Sequence, residues 1–394
     1  MAICKKCIIP DSFPGISMTN GVCSFCMDYQ VSSDSKSEDG AYKRQILEDM
    51  FTHSKRSTYD CLVPVSGGKD SAYVLYYVVT QMKLKPLAAF FDSEFAREIA
   101  RTNVKNICSK LGVDLIVVNS LHDFYRKSVI EAIHMSKSVG FFFCTCSTCE
   151  NNLRSMAINE SLARNIPYIL WGSTDYEDAI GEYSEGYSRR KTFRQSFGHS
   201  SVVLPSLAFF GDIGFRLLYK CPQHVLRYWY YTARDNFIMN APGGPKRLMP
   251  LFQVPFHNQQ AQVIYFFNYI DYNPLHQINV LREELGWIAP SGKEARIDCR
   301  LHCLQNQAFL SRNNISVDGF NMANLIRADL MDRDEALRRE NIIKESVVDD
   351  CVEILRYLKF PIRDLTHMLK KDSSDLFLSQ TRMRDKIPGG FLQG

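Results

Sequence analysis

The chain has 394 residues, of which 45% are hydrophobic and 23% charged, an ordinary globular composition that excludes a disordered chain, a collagen-like chain and a coiled coil. At this length one hydrophobic core rarely suffices, so two or three domains are expected. The formal net charge is only +4, from 47 basic and 43 acidic residues, weaker than the basic footprint of a dedicated nucleic-acid binder.

The start, MAICKKCIIPDS, has no apolar run behind a basic one, so no signal peptide is expected. No uninterrupted apolar window reaches the roughly 18 residues of a membrane span. The most apolar stretch, Val202 to Tyr219, contains Pro205, Asp212 and Arg216 and reads as buried protein. A reducing cytoplasm is therefore expected. There the 13 cysteines, an odd number, are buried, catalytic or metal-bound thiols rather than a disulfide framework.

Residues 1–30 hold four cysteines and little apolar periodicity, and the polar run VSSDSKSEDG (31–40) reads as a linker. A helix is predicted from Ala41 to about His53. Strands then alternate with helices: Tyr59–Val65, Ser71–Met82, Pro86–Asp92, Glu94–Leu111, Asp114–Asn119, His122–Ser138, a helix at Asn151–Asn165, and a strand at Pro167–Gly172. Short apolar runs followed by helix-length amphipathic segments predict an α/β fold, a parallel sheet with helices on both faces. Beyond Gly172 the pattern becomes mostly helical. The expected organisation is a zinc-ribbon-like segment (1–30), a nucleotide-binding α/β domain (41–200) and a mostly helical substrate- or partner-binding region (201–394).

The strongest local signal is Ser66-Gly67-Gly68-Lys69-Asp70-Ser71, between a predicted strand and a predicted helix. Two glycines let the backbone approach phosphate oxygens, and the helix N-terminus offers unpaired N–H groups and the positive dipole end. Ser66, Lys69 and Ser71 add donors. The spacing is not that of Walker A. It resembles the SGGxDS loop of the PP-loop ATP pyrophosphatases, which cleave ATP between the α and β phosphates and adenylate a substrate oxygen. That resemblance implies a PP-loop (HUP-like) domain in which Phe91, Asp92 and Ser93 lie against adenosine. Trp171, Gly172 and Ser173 would close the pocket. Asp92 is equally placed to cap the next helix.

Cys4-x2-Cys7 and Cys23-x2-Cys26 have the spacing of a structural zinc site. A segment this short cannot bury a core, so the metal would supply its folding energy. Cys144, Cys146 and Cys149 stand before a predicted helix start, with Cys146-x2-Cys149 the better pair. Cys221, Cys299 and Cys303 are available as further ligands of a second zinc or an iron–sulfur cluster. Cys61, Cys108 and Cys351 read as core. The aromatic runs Phe141–Phe143, Tyr228–Tyr231 and Tyr265–Tyr269 read as core too. Arg300-Leu301-His302 is either pocket lining or a salt-bridged helix start.

CKKCIIPDSFPGISMTNGVCSFC and YDCLVPVSGGKDSAYVLYYV, followed by Cys146, Cys149 and the Trp171-Gly172 strand end, resemble the N-acetyl sugar amidotransferases of lipopolysaccharide O-antigen synthesis. The resemblance covers about the first 175 residues well and continues weakly through FFNYIDYN, REELGW and MDRDEAL. It implies that ATP, with Mg2+, adenylates the oxygen of an N-acetyl group on a sugar or nucleotide-sugar. Ammonia then displaces AMP and leaves an acetamidino group. Ser66, Gly67, Gly68, Lys69, Asp70 and Ser71 would hold the pyrophosphate end, with Lys69, Asp70 and Ser71 acting by charge stabilisation and positioning. No glutaminase nucleophile motif is found, and Ala2 follows Met1, so a separate glutaminase and ammonia-channel subunit is implied. RIDCRLHC (296–303) departs from the family pattern. The competing expectation is a PP-loop sulfurtransferase acting on tRNA or a small molecule. The weak net charge counts against tRNA, and the local patch SRRKTFR (188–194) counts for it.

Overall fold

A computed structural model describes residues 2–33, 40–52, 58–119, 122–139, 141–174, 176, 219, 221–239, 257–258, 261–289 and 298–360. The basic patch at 188–194, nearly all of the apolar stretch 202–219, and the side chains of Phe141–Phe143, Cys144 and Cys146 lie outside the described residues.

The N-terminal segment is a two-residue hairpin, β1 (Met18–Thr19) and β2 (Val22–Cys23), followed by α1 (Ser24–Ser33). Asn20 and Gly21 form its turn with φ of 53° and 81°, both in the left-handed region that a tight two-residue hairpin requires. After α2 (Gly40–Thr52) the alternation begins: β3 (Cys61–Val65), α3 (Lys69–Thr80), β4 (Pro86–Asp92), α4 (Glu98–Leu111), β5 (Asp114–Asn119), α5 (His122–Val139), α6 (Phe141–Ala163) and β6 (Tyr168–Trp171). The chain continues through α7 (Pro222–Met239), β7 (His257–Asn258), β8 (Ala261–Tyr265), α8 (Pro274–Leu285), α9 (His302–Asn313), α10 (Val317–Arg327) and α11 (Arg333–Tyr357).

The sheet order is β5-β4-β3-β6-β8-β7, parallel except for the antiparallel edge strand β7. Alternate residues of each strand feed two cores, because side chains point to opposite faces. Cys61, Val63, Val65, Ala88, Phe90, Leu170 and Ile264 pack against α3, α4 and α8 on one face. Leu62, Leu87, Ala89, Phe91 and Ile169 pack against Met156, Ala157 and Ile158 of α6 on the other. Helices thus cover both faces, as expected. A third core joins the N-terminal segment to α5, α9, α10 and α11 through Ile9, Phe13, Tyr125, Phe320 and Leu355.

Several elements differ from their sequence expectation. α4 starts at Glu98, because Ser93 to Arg97 turn and Ala96 forms a bridge to Cys299 instead. α6 begins at Phe141 rather than Asn151, so the three clustered cysteines lie within the helix and not before its N-terminus. β8 was not anticipated in the half expected to be mostly helical; it is a strand because β6 offers a partner edge, with Ile169 in register with Val263. In the Tyr228–Tyr231 run only part is core: Tyr228 is buried, whereas Trp229 and Tyr230 are exposed. Among the described residues no helix is long and apolar enough to cross a membrane.

Candidate functional site

The chain order runs from β3 outward to β4 and β5, then returns to place β6 on the other side of β3. Such a reversal opens a crevice at the carboxyl ends of the two central strands, the usual ligand position in open α/β sheets. The SGGKDS loop follows β3 into that crevice, and Gly172 and Ser173 follow β6.

The loop's shape is set by its two glycines and by hydrogen bonds within it. Gly67 has φ +82°, and a Cβ there would lie 2.5 Å from the carbonyl oxygen of Ala100, so only glycine fits. Gly68 is the N-cap of α3 and supplies no side-chain cap. Ser71 Oγ accepts from Ser66 N at 3.1 Å, and Gly68 N donates to Ser66 Oγ at 3.3 Å, closing the turn on itself. Lys69 Nζ lies 2.7 Å from an Asp70 carboxylate oxygen and donates to the Tyr272 hydroxyl at 2.7 Å. At Gly172 a Cβ would meet Val74 at 3.2 Å and Ser71 at 3.4 Å, so the end of β6 lies directly on the loop.

Two distant residues hold the loop from behind. Trp287 Nε1 donates to Gly67 O at 3.0 Å, and Asn103 Nδ2 donates to the same oxygen at 3.3 Å. Asn103 is fully buried and also exchanges two 2.9 Å hydrogen bonds with the Ile288 backbone. Neither residue carried a sequence signal as part of the site.

In front of the loop is a cavity of about 640 Å³. Its near walls are Ser66, Gly68, Lys69, Asp70, Ser71, Trp171, Gly172 and Ser173, and α8 adds Ile278 and Arg282. Its far wall comes from Asp298, from Asp318, Asn321 and Met322 of α10, and from Arg338, Arg339 and Ile343 of α11. Arg338 and Arg339 share Glu335, which holds that carboxyl down at about 2. Phe91 and Asp92 are not among the lining residues. Phe91 packs edge-on against Tyr125 at 5.9 Å, and Asp92 forms an ion pair of 2.9 Å with Arg101. His302 lies behind Asp318, and Arg300 pairs with Glu353 at 2.6 Å.

Cys4, Cys7, Cys23 and Cys26 form a buried knot whose sulfurs all lie within 4.8 Å of one another. Cys4 and Cys26 sulfurs are 3.9 Å apart, and those of Cys7 and Cys23 are 3.6 Å apart. Four sulfurs about 2.3 Å from a tetrahedral centre would sit about 3.8 Å apart, so the donor set fits a thiolate-bound metal. Hydrogen bonds from Cys26 and Cys7 pull the Cys23 thiol down to about 2, and the Cys23 contact pushes Cys7 up. A cation at the centre would let all four thiols ionise. Arg333 clamps the knot from α11, donating to Cys7 O and Cys4 O, each at 3.0 Å.

The second cysteine group gathers residues from separate elements. Burial pushes the Cys299 thiol up, and the nearby charges of Cys149, Asp298 and Cys303 push it further. Burial also pushes up the Cys351 thiol, and its hydrogen bond with the Cys303 thiol raises it further. Cys221 is elsewhere, packed with Ala132, Met135, Val225 and Tyr228 between α5 and α7. Among the described residues only the N-terminal knot brings its ligand atoms together within 4.8 Å.

No family model matches the sequence. Over 78 residues the chain is 31% identical to an uncharacterized protein of Methanocaldococcus jannaschii, a match spanning 20% of this chain and 28% of that protein. Among solved structures, NMN synthetase from Francisella tularensis is similar at 15% identity and a TM-score of 0.28, over 38% of this chain and 62% of that one. NH3-dependent NAD synthetase from Campylobacter jejuni subsp. jejuni is 14% identical with a TM-score of 0.28, over 52% and 98%. The U34-tRNA thiolase NcsA from Methanococcus maripaludis, solved with its 4Fe-4S cluster, is 12% identical with a TM-score of 0.35, over 84% and 88%.

Proposed function

We propose that this chain is an ATP-dependent, AMP-forming amidotransferase that replaces the oxygen of an N-acetyl group on a sugar or nucleotide-sugar with nitrogen. The product is an acetamidino sugar for lipopolysaccharide, O-antigen or a related surface glycan. The carrying observation is the intact SGGKDS loop at the carboxyl end of β3, opening onto a cavity of about 640 Å³. That volume lies within the range of small-molecule sites, about 300–1,000 Å³.

An amide oxygen is a poor leaving group, and a phosphoanhydride-activated one is good, so an ATP-cleaving loop suits this substitution. The first turn of α3 receives the pyrophosphate end of ATP through its N–H groups. Lys69 neutralises phosphate charge, and Asp70, released from Lys69, offers a carboxylate to Mg2+. Ser66 and Ser71 turn their hydroxyls from each other to phosphate oxygens. Each acts by positioning and charge stabilisation. Zinc in the four-cysteine knot is structural, since four thiolates leave no open position. Cys146 and Cys149 belong to a second metal group, zinc or iron–sulfur. Nitrogen reaches the site as ammonia from a separate glutaminase subunit.

Sulfur transfer has one observation in its favour, the electrostatic contact of Cys149 with Cys299. Neither thiol lines the cavity, although Leu153 of α6 and Asp298, beside Cys299 in the chain, do. One assay separates the two activities: the chain is incubated with ATP, an acetamido sugar nucleotide, and either ammonia or sulfide. Ammonia-dependent AMP release with an amidino product is expected. Sulfide-dependent turnover without response to ammonia would falsify the amidotransferase proposal.

A further inference from the structure

Lys69 is held by two groups of different origin. Its Nζ donates to both oxygens of Asp70, at 2.8 Å and 2.7 Å, and to the Tyr272 hydroxyl at 2.7 Å. Asp70 is the next residue in the chain and belongs to the loop itself. Tyr272 is 203 positions away and comes from the segment between β8 and α8. β8 runs parallel to β6, with Trp171 in register with Tyr265, so the chain leaves β8 at the same carboxyl edge from which the loop leaves β3. A single 3-10 turn, Phe266–Asn268, then leads toward Tyr272.

The surroundings of Tyr272 fix it on both sides. Ahead of it, Tyr269 N and Ile270 N donate to the carbonyl oxygen of Phe266, which is fully buried. After it, Asn273 caps α8, its side chain accepting from His276 N at 3.0 Å, and Pro274 presets the first helical turn. Tyr272 is only 8% exposed. Its ring stacks on Tyr176 with centroids 5.4 Å apart, and meets Phe267 edge to face at 5.0 Å. A ring wedged in this way holds its hydroxyl at one place.

A lysine ammonium is a compact charge on a flexible four-carbon stem, so its position is set by what holds its head. An ammonium only donates, so the phenol oxygen is the acceptor. Lys69 lines the cavity, and Tyr272 is not among the lining residues. When Asp70 turns to Mg2+, as the proposed function requires, the tie to Tyr272 is kept, because it does not involve Asp70. We propose that Tyr272 is the positioning residue of the phosphate site, its hydroxyl holding the Lys69 ammonium where the phosphates of ATP arrive. This gives a role to FFNYIDYN, Phe266–Asn273, a stretch that the loop and cysteine motifs leave unexplained. The role rests on the loop's binding of ATP, as proposed above, and not on the group that ATP then activates.

Tyr272→Phe keeps the ring and deletes only the hydroxyl, so a double-mutant cycle on the full chain tests this. ATP affinity in magnesium chloride is measured for wild type, Y272F, K69M and Y272F/K69M, by calorimetry and, for weak binders, by 31P line broadening of ATP. Y272F is expected to bind ATP roughly 10-fold more weakly than wild type, the scale of one hydrogen bond to a charged group. In the K69M background the same change should alter affinity by less than about 2-fold, since the group that Tyr272 positions is gone. A merely structural tyrosine gives the same loss in both backgrounds. That result overturns the proposal, as does wild-type affinity in Y272F. A second readout does not depend on binding by K69M. In chains labelled with 13Cε-lysine and loaded with ATP and magnesium, the Lys69 resonance is identified by its absence from K69M. It should move toward the resonances of exposed lysines in Y272F, and an unmoved resonance overturns the proposal. Wild type that binds no ATP overturns the phosphate-loop reading, and the role of Tyr272 with it.

Discussion

The SGGKDS loop and the four-cysteine knot are both short motifs with special backbone requirements, yet they are finished in opposite ways. The knot closes on itself: four sulfurs face one point, and Cys23 N donates to Cys4 Sγ at 3.3 Å. The loop lines a cavity instead, with no side-chain cap from Gly68 at the start of α3 and its support placed behind it, on Gly67 O. The difference teaches what each can do. A site whose donor atoms are mutually satisfied around one ion stabilises structure, whereas a site that keeps donors facing a cavity can exchange ligands.

Breaking the knot should have the larger effect. Cys23→Ser removes one of the four sulfurs, and a loss on the order of 5 kcal/mol or more is expected if a bound metal supplies the folding energy of this segment. Metal analysis and thermal unfolding, with chelator-treated wild type alongside, check this; unchanged stability in both would refute the metal role. Gly67→Ala strikes the loop, since the new Cβ meets backbone at 2.5 Å in a left-handed conformation. A cost of about 3 kcal/mol is expected, with loss of ATP binding, measurable by denaturant titration and calorimetry.

Two smaller changes sharpen the contrast by removing outside support only. Arg333→Met deletes two charged hydrogen bonds to the knot, and about 2 kcal/mol should be lost with metal content intact. Metal loss in that variant would mean that the knot depends on α11 to assemble. Trp287→Phe deletes one hydrogen bond to Gly67 O, costing about 1 kcal/mol. Because that bond positions the loop, ATP affinity should fall more than stability does. Equal ATP affinity in the variant and wild type would show that Asn103 alone holds the loop.

Much of this was legible in the residues. The strands at Pro86–Asp92 and Asp114–Asn119 coincide with β4 and β5; β4 is buried on both faces and reads as an uninterrupted apolar run, and the edge strand β5 is marked by its β-branched Ile116, Val117 and Val118. The C-x-x-C pairs announced the knot, and the glycines of SGGKDS announced the loop, since each requirement is local in the chain. The far wall of the cavity was not legible. Asp298 lies in the singled-out stretch RIDCRLHC, but Asp318, Asn321, Arg338 and Arg339 are ordinary polar residues of helices, and nothing in their spacing marks them. Asn103 was equally silent, and Trp287, though it ends the weakly resembling stretch REELGW, carried no sign of a role at the loop.

The sequence by itself determined the parts whose chemistry is contained in a few consecutive residues: the phosphate-type loop, the thiol quartet and the alternation that builds the sheet. Tertiary structure decided what stands opposite them. It placed β8 beside β6, turned Asp92 toward Arg101, and brought α10 and α11 over the crevice. The physical reason is that packing between distant elements depends on which faces meet in space, and a linear pattern of apolar and polar residues specifies that each face must be covered without naming its cover.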